Sequence, residues 1–210
     1  MKRIVNLLII ALIFCSCKSY TQTETFEWKQ SSLGGGGYIC GLIQNSQNPD
    51  IIYGRCDVGG VYKSTDGGKS WKLVNKGLTK GSQHCIETFA ISPLDPNIML
   101  RGSGEIRNHK IVGFLHKSTD GGETWNEVSD KLDYHGNGNT KSTGENISFD
   151  YFNKGTVAAG AYSNGLWMSR DNGDTWQYQQ KVTIIEVPGS PDQKFTEPAP
   201  AFFLLNRILC

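Results

Sequence analysis

Three copies of one short sentence govern what this chain can fold into. "STDGGKSW" (Ser64–Trp71), "STDGGETW" (Ser118–Trp125) and "SRDNGDTW" (Ser169–Trp176) recur about fifty residues apart. A strand-like segment stands before each copy ("GGVYKS", "VGFLHKS", "NGLWMSR") and another after it ("SWKLV", "TWNEV", "TWQYQ"). Each copy therefore reads as a hairpin turn. Asp66, Asp120 and Asp171 can fold their carboxylates onto following N–H groups, and the glycines accept positive φ. Trp71, Trp125 and Trp176 are placed to fill the space between neighbouring sheets.

Upstream of each turn lie two further strand candidates. They are "GGYICGLIQ" and "IIYGRC" in the first unit, "IETFAIS" and "IMLRGS" in the second, and "NISFDYF" and "TVAAGAY" in the third. Four strands per unit, repeated with this period, predict an all-β chain of antiparallel meander blades, a β-propeller. Three full units fall short of the roughly four to eight blades of a closed propeller, so an incomplete propeller is expected. "DNGD" superficially resembles a calcium loop, but no Glu stands in register to complete one, and no CxxC pair offers a zinc site. No metal and no cofactor are expected.

The N-terminal twenty residues, "MKRIVNLLIIALIFCSCKSY", have a basic start and an apolar run too short to span a bilayer, the pattern of a secretory signal. Ser16 followed by Cys17 fits a lipoprotein cleavage site, with Cys17 as the lipidated residue; a plain signal peptide is the alternative. The expected boundaries are a signal at 1–16, a linker at 17–25, blades at 26–178, and a partial fourth blade or aberrant tail at 179–210. The chain is then exported, as a lipoprotein of the bacterial cell envelope or as a secreted protein, with a lipid as its one link to a membrane. Lys and Arg total 21 against 20 Asp and Glu, a balance that gives no footprint for nucleic acid. Cys40 and Cys56 flank "NSQNPD" evenly. A cross-strand disulfide and two small buried residues are both open there.

In a meander, the repeated turns share one end with the turns between the first two strands of each blade. Chemistry is therefore expected at the other end. That mouth holds "DVGG" (Asp57–Gly60), "GEIRNHKI" (Gly104–Ile111) and "SNG" (Ser163–Gly165), with the longer connections 75–84 and 129–145. Asp57 follows a strand directly and is flanked by Gly59 and Gly60. Its carboxylate suits a general base, while a turn-capping Asp is the plainer reading. Glu105 is read as its counterpart in the second blade. Tyr134, Asn139 and Glu145 on the long polar connection are candidate sugar-binding groups, as are Tyr38, Arg55, Glu105 and Arg107.

The repeated turn resembles the Asp-box, or BNR, repeat of sialidases, sortilin-type receptors and polysaccharide hydrolases. The stretch "SLGGGGYICGLIQNSQNPDIIYGRCDVGGVYKSTDGGKSW" resembles more narrowly the first blade of the family 74 glycoside hydrolases, the xyloglucanases and related endo-β-glucanases. The matching positions are Gly34–Tyr38, Pro49, Ile52, Tyr53, Arg55, Asp57, Gly59, Gly60 and Tyr62, and the likeness runs over about residues 26–178. This resemblance implies a β-glucan or xyloglucan substrate and inverting hydrolysis with Asp57 as general base. It also implies a second propeller that supplies the acid. The chain then reads as the N-terminal portion of such an enzyme, inactive alone. The alternative is a non-catalytic surface lipoprotein that binds a glycan or protein. A sialidase is disfavoured, because a carboxylate clamp needs several convergent arginines and Arg107 alone sits plainly on a mouth connection.

Overall fold

A computed structural model describes residues 27, 29–138 and 144–179. Cys17, Asn139 and the 179–210 tail beyond its first residue lie outside the described residues. The chain divides into Met1–Gln30 and Ser31–Cys210, and the described strands belong to the second unit.

Among the described residues twelve strands form three separate antiparallel sheets of four. The first blade is β1 (Ile39–Gln44), β2 (Ile52–Cys56), β3 (Gly60–Ser64) and β4 (Lys72–Leu73). The second is β5 (Ile86–Ile91), β6 (Met99–Arg107), β7 (Lys110–Ser118) and β8 (Asn126–Ser129). The third is β9 (Ile147–Phe149), β10 (Val157–Ala161), β11 (Gly165–Ser169) and β12 (Gln177–Tyr178). Spatial order follows chain order in every sheet, as a meander requires. Central strands such as β10, "VAAGA", are buried throughout. The outermost strands β4 and β12 are two residues long and exposed.

The repeated turn is the same object three times. Ser64 Oγ accepts from Gly68 N at 2.8 Å and donates to Asp66 Oδ1 at 2.8 Å. Asp66 then accepts from Ser70 N at 2.9 Å and Ser70 Oγ at 2.6 Å. Ser118, Asp120 and Thr124 repeat these bonds, and so do Ser169, Asp171 and Thr175. Two successive residues need positive φ: Gly67–Gly68, Gly121–Gly122 and Asn172–Gly173. Asn is the non-glycine residue that best tolerates that region, so "DNG" can stand for "DGG". Each box also bonds to the turn between the first two strands of its own blade: Gly67 N to Asp50 O, Gly121 N to Asn97 O, Asn172 N to Gly155 O. Both kinds of turn thus occupy one end of the blades.

Two apolar layers join the blades. Tyr53, Val61, Val74, Phe89, Met99 and Trp125 fill the space between the first and second. Leu100, Leu115, Leu132, Tyr134, Ile147 and Phe149, with Trp176 against them, fill the space between the second and third. Trp125 is almost wholly buried and donates its indole N–H to Val74 O of the preceding blade at 2.9 Å. Trp71 and Trp176 donate instead to Gly68 O and Gly173 O in their own boxes.

One expected loop is not a loop. Residues 104–111 continue the ladder of β6 and β7, pairing Glu105 with Val112, Ile106 with Ile111 and Arg107 with Lys110. Asn108 and His109 close the hairpin with φ of 51° and 61°. That is a two-residue turn of the primed type, which usually announces itself by Asn-Gly; here His109 fills the glycine's place. The disulfide alternative also falls. Cys56 is a buried thiol with no bond to Cys40, which sits in the bulge between Ile39 and Gly41.

Candidate active site

At the end of the blades opposite the boxes, Asp57 leaves β2. It extends the β1–β2 pairing by one rung, with Asp57 N donating to Tyr38 O at 3.0 Å. In return Tyr38 N donates to Asp57 Oδ1 at 2.8 Å. The carboxylate is therefore aimed by backbone and is 6% exposed. The glycine run explains how the chain passes over it. A Cβ on Gly35 would stand 1.8 Å from Tyr62 Oη, and one on Gly37 would stand 2.3 Å from Cys56 Sγ and 3.1 Å from Asp57 Oδ1. Any side chain there would push the 35–37 backbone off the layer formed by Tyr62, Cys56 and Asp57.

The 75–84 connection closes the other flank. Asn75 accepts from Val61 N at 3.1 Å, donates to Gly59 O at 3.0 Å, and lies 3.1 Å from His84 Nδ1. His84 ends a 3-10 turn (Gly81–His84) and leads into Cys85. Burial raises the Cys85 thiol, and Glu105, Asp57 and Cys56 raise it further, so these side chains share one electrostatic neighbourhood. Burial raises the Tyr62 hydroxyl, with Cys56 adding to it. Asn75, His84 and Cys85 belong to the mouth but carry no motif, and contact across blades is what brings them there.

The other expected groups divide. Glu105 and Arg107 project from the same side of β6 and form an ion pair with each other. Arg107 and Glu127 line an open groove of about 480 Å³ with Lys80, Phe114 and Asp130. Glu105 is not the counterpart of Asp57. Counting from the box serines, Ser64 pairs with Ile52 and Ser118 with Met99. Five positions on, Asp57 corresponds to Gly104, and Glu105 falls on the opposite face of its strand.

Arg55, which is buried, and Glu145, which is partly exposed, form a tie between blades. Glu145 Oε1 accepts from Arg55 Nε at 2.6 Å, and Oε2 accepts from Phe89 N at 2.5 Å and Thr88 Oγ1 at 3.1 Å. Next to it, Glu87 accepts from His135 N at 2.6 Å and Asn146 Nδ2 at 2.9 Å. Burial raises the Glu87 carboxyl to about 7, against the lowering pull of those two bonds and Arg55. Tyr134 is completely buried against Gly102, in the core rather than on a surface a sugar could reach. A polar sequence hid an apolar plug: Leu132 and Tyr134 are completely buried, while Lys131 stays exposed. Among the described residues no group of three or more His, Cys, Asp or Glu could hold a metal ion.

The family described as BNR/Asp-box repeat matches residues 62–73 and 116–127. The third box, unmatched there, makes the same bonds. A xyloglucanase of a Paenibacillus species is 33% identical over 178 residues, which is 82% of this chain and 17% of that protein. Xyloglucanase Xgh74A of Acetivibrio thermocellus is 32% identical over 171 residues, 79% of this chain and 20% of that protein. The chain is homologous to xyloglucanases. Among solved structures, the GH74 enzyme of Niastella koreensis superposes with a TM-score of 0.63 at 29% identity, over 73% of this chain and 23% of that one. The GH74 xyloglucanase of Xanthomonas campestris gives the same TM-score at 24% identity, a likeness of fold. The homology covers most of this chain, and the chain spans about a fifth of the length of the curated relatives it matches.

Proposed function

We propose that this chain contributes the Asp57 half of the active site of a xyloglucan hydrolase. The single observation that carries the reading is the Asp57 carboxylate, fixed by Tyr38 N–H at the mouth, beneath a glycine run that lets chain or substrate approach closely. In inverting hydrolysis a base activates water on one face of the sugar while an acid protonates the leaving oxygen, with the two carboxyls about 6.5–9.5 Å apart. Asp57 takes the base role. Glu105 is engaged by Arg107, and Glu145 by Arg55, Thr88 and Phe89 N–H, so the acid is assigned to a group outside the described residues. The blades alone then bind xyloglucan without cleaving it.

The test is a chimera. Residues 31–179 replace the homologous segment of the Paenibacillus xyloglucanase, and hydrolysis of xyloglucan is followed by reducing ends. The chimera should turn over, and Asp57→Asn should lower kcat by about 10²–10⁴-fold with KM little changed. Undiminished turnover in the Asp57→Asn chimera would remove Asp57 from the chemistry. Glycan capture by the 210-residue chain, with a chimera that never turns over, would favour the non-catalytic binding protein instead. Export through the N-terminal signal, with a lipid on Cys17, is part of the same proposal. Labelling with a palmitate analogue should mark the wild-type chain and spare Cys17→Ala.

A further inference from the structure

The blade repeat is broken at one buried cross-strand pair. Counting from the box serines, Gly54 pairs with Tyr62 in the first blade and Ala159 with Trp167 in the third. In the second blade the same rung holds Arg101 opposite His116. A small residue and an aromatic ring have become two basic side chains. Both are buried, Arg101 completely.

Strand alternation puts Arg101, Ser103 and His116 on one face, the face toward the first blade. Trp125 lies on that side too, with the Arg101 guanidinium carbon 4.5 Å from its ring. The 75–84 connection roofs the group: Gln83 Nε2 donates to Glu127 Oε2 at 3.0 Å, and Lys80 Nζ stands 4.7 Å from the Phe114 ring beside His116. Beneath this roof, Arg101 Nε, Nη1 and Nη2, the Ser103 hydroxyl and both His116 ring nitrogens meet no hydrogen-bond partner among the described residues. Burial lowers Arg101 to about 9, which leaves it charged at neutral pH. Burial, then Arg101, Lys80 and His84, hold His116 down at about 3, so its ring is neutral and offers one N–H. Among the described residues no carboxylate accepts from any nitrogen of the Arg101 guanidinium.

A buried guanidinium without a counter-charge is among the most costly arrangements a fold can contain. The face of Trp125 offsets a fraction of that cost. What the position lacks is one negative charge with several acceptor directions. We propose that Arg101, Ser103 and His116 bind a small monovalent anion of the halide class between the first and second blades. One guanidinium balances one negative charge, whereas a divalent oxyanion would leave an excess. The donors are shielded from solvent, which favours a compact, weakly hydrated ion. The Ser103 hydroxyl and one His116 N–H complete its shell. The proposal stands or falls independently of the hydrolase reading.

The test uses the purified 210-residue chain, with sodium bromide replacing sodium gluconate at constant ionic strength. Bromide quenches indole fluorescence through its heavy atom, and Trp125 adjoins the site. The expected result is a saturable quenching component competed by chloride, with a Tm several degrees higher in chloride than in gluconate. Arg101→Met should abolish both, and His116→Phe should weaken both. Purely linear quenching, the same in wild type and Arg101→Met, would overturn the site. A bromide-soaked crystal of the wild type decides the matter even if the variants fold poorly. An anomalous peak within hydrogen-bond distance of Arg101 supports the proposal, and a water there without anomalous signal defeats it.

Discussion

The two ends of the blades follow opposite rules. At the Asp-box end, three turns share the same hydrogen bonds, the same positive-φ pair and the same link to the neighbouring turn of their own blade. Even the ties between blades repeat there. Lys63 reaches Glu123 of the next box at 2.9 Å, and Lys117 reaches Asp174 of the next at 2.7 Å. At the mouth a backbone rung recurs in the first two blades (Asp57 N to Tyr38 O, Gly104 N to Cys85 O), but the side chains do not repeat. The first blade presents Asp57 under a glycine run, the second extends a long hairpin carrying Glu105 and Arg107, and the third ends its central strand in a short turn at Ser163–Asn164. A repeated scaffold leaves one end free to vary, and chemistry belongs where the repeat stops constraining the chain.

The largest effect that could break this contrast is on turnover. Asp57→Asn should cost the chimera about 10²–10⁴-fold in kcat while leaving its Tm in place. A large drop in Tm would mean that Asp57 is a turn-former like Asp66. Next comes the layer between blades. Trp125→Ala should destabilise the chain by about 3–5 kcal/mol, because the indole is buried and bonded to Val74 O. Urea unfolding measures this, and a loss under about 1 kcal/mol would mean that the first two blades do not share a core.

Third is the buried carboxyl at the mouth end of β5. Glu87 titrates near 7 in the fold against an ordinary 4.5. A raised carboxyl stabilises the fold fully below pH 4.5, and that contribution disappears as pH rises through 7. The size is on the order of 3 kcal/mol. Unfolding free energy should fall across that window in wild type and stay flat in Glu87→Gln. An identical slope in both would assign the pH dependence elsewhere.

The smaller effects belong to the boxes. Ser118→Ala removes the acceptor for Gly122 N and the donor to Asp120, and should cost about 1–2 kcal/mol. Ser64→Ala and Ser169→Ala should cost about the same, since the bonds are the same; a threefold spread among them would show that the boxes are not equivalent. Smallest is the acid limb. The Ser70 hydroxyl holds Asp66 at about 2, and Thr175 holds Asp171 at about 2, against 3.8 ordinarily. Depressed carboxyls stabilise above pH 3.8, and that support is lost as pH falls through 2. Acid unfolding should shift slightly upward in pH for Ser70→Ala.

The scaffold was legible because it is written locally and three times. Box turns and strand order follow from Ser, Asp, Gly and Trp at fixed offsets. Features that depend on contact across blades were not legible. The Asn108–His109 turn lacks the glycine that signals its type, so a hairpin read as a loop. Tyr134 and Glu145 sit in a polar stretch yet serve as plug and tie, because Tyr134 is covered between the second and third blades and Glu145 bonds to Arg55 of the first and Phe89 of the second. Glu87, Arg101 and His116 passed as ordinary strand residues. Aligning the blades on their box serines would have exposed Arg101 and His116, since that register sets them against Gly54, Tyr62, Ala159 and Trp167.

The most direct test of the two-ended account is amide chemical-shift mapping of the 210-residue chain with a xyloglucan oligosaccharide. The account predicts shifts clustered at the mouth, around 35–38, 57–60 and 105–113, with the boxes at 64–71, 118–125 and 169–176 silent. Shifts concentrated in the boxes, with Asp57 and its glycines unmoved, would contradict it.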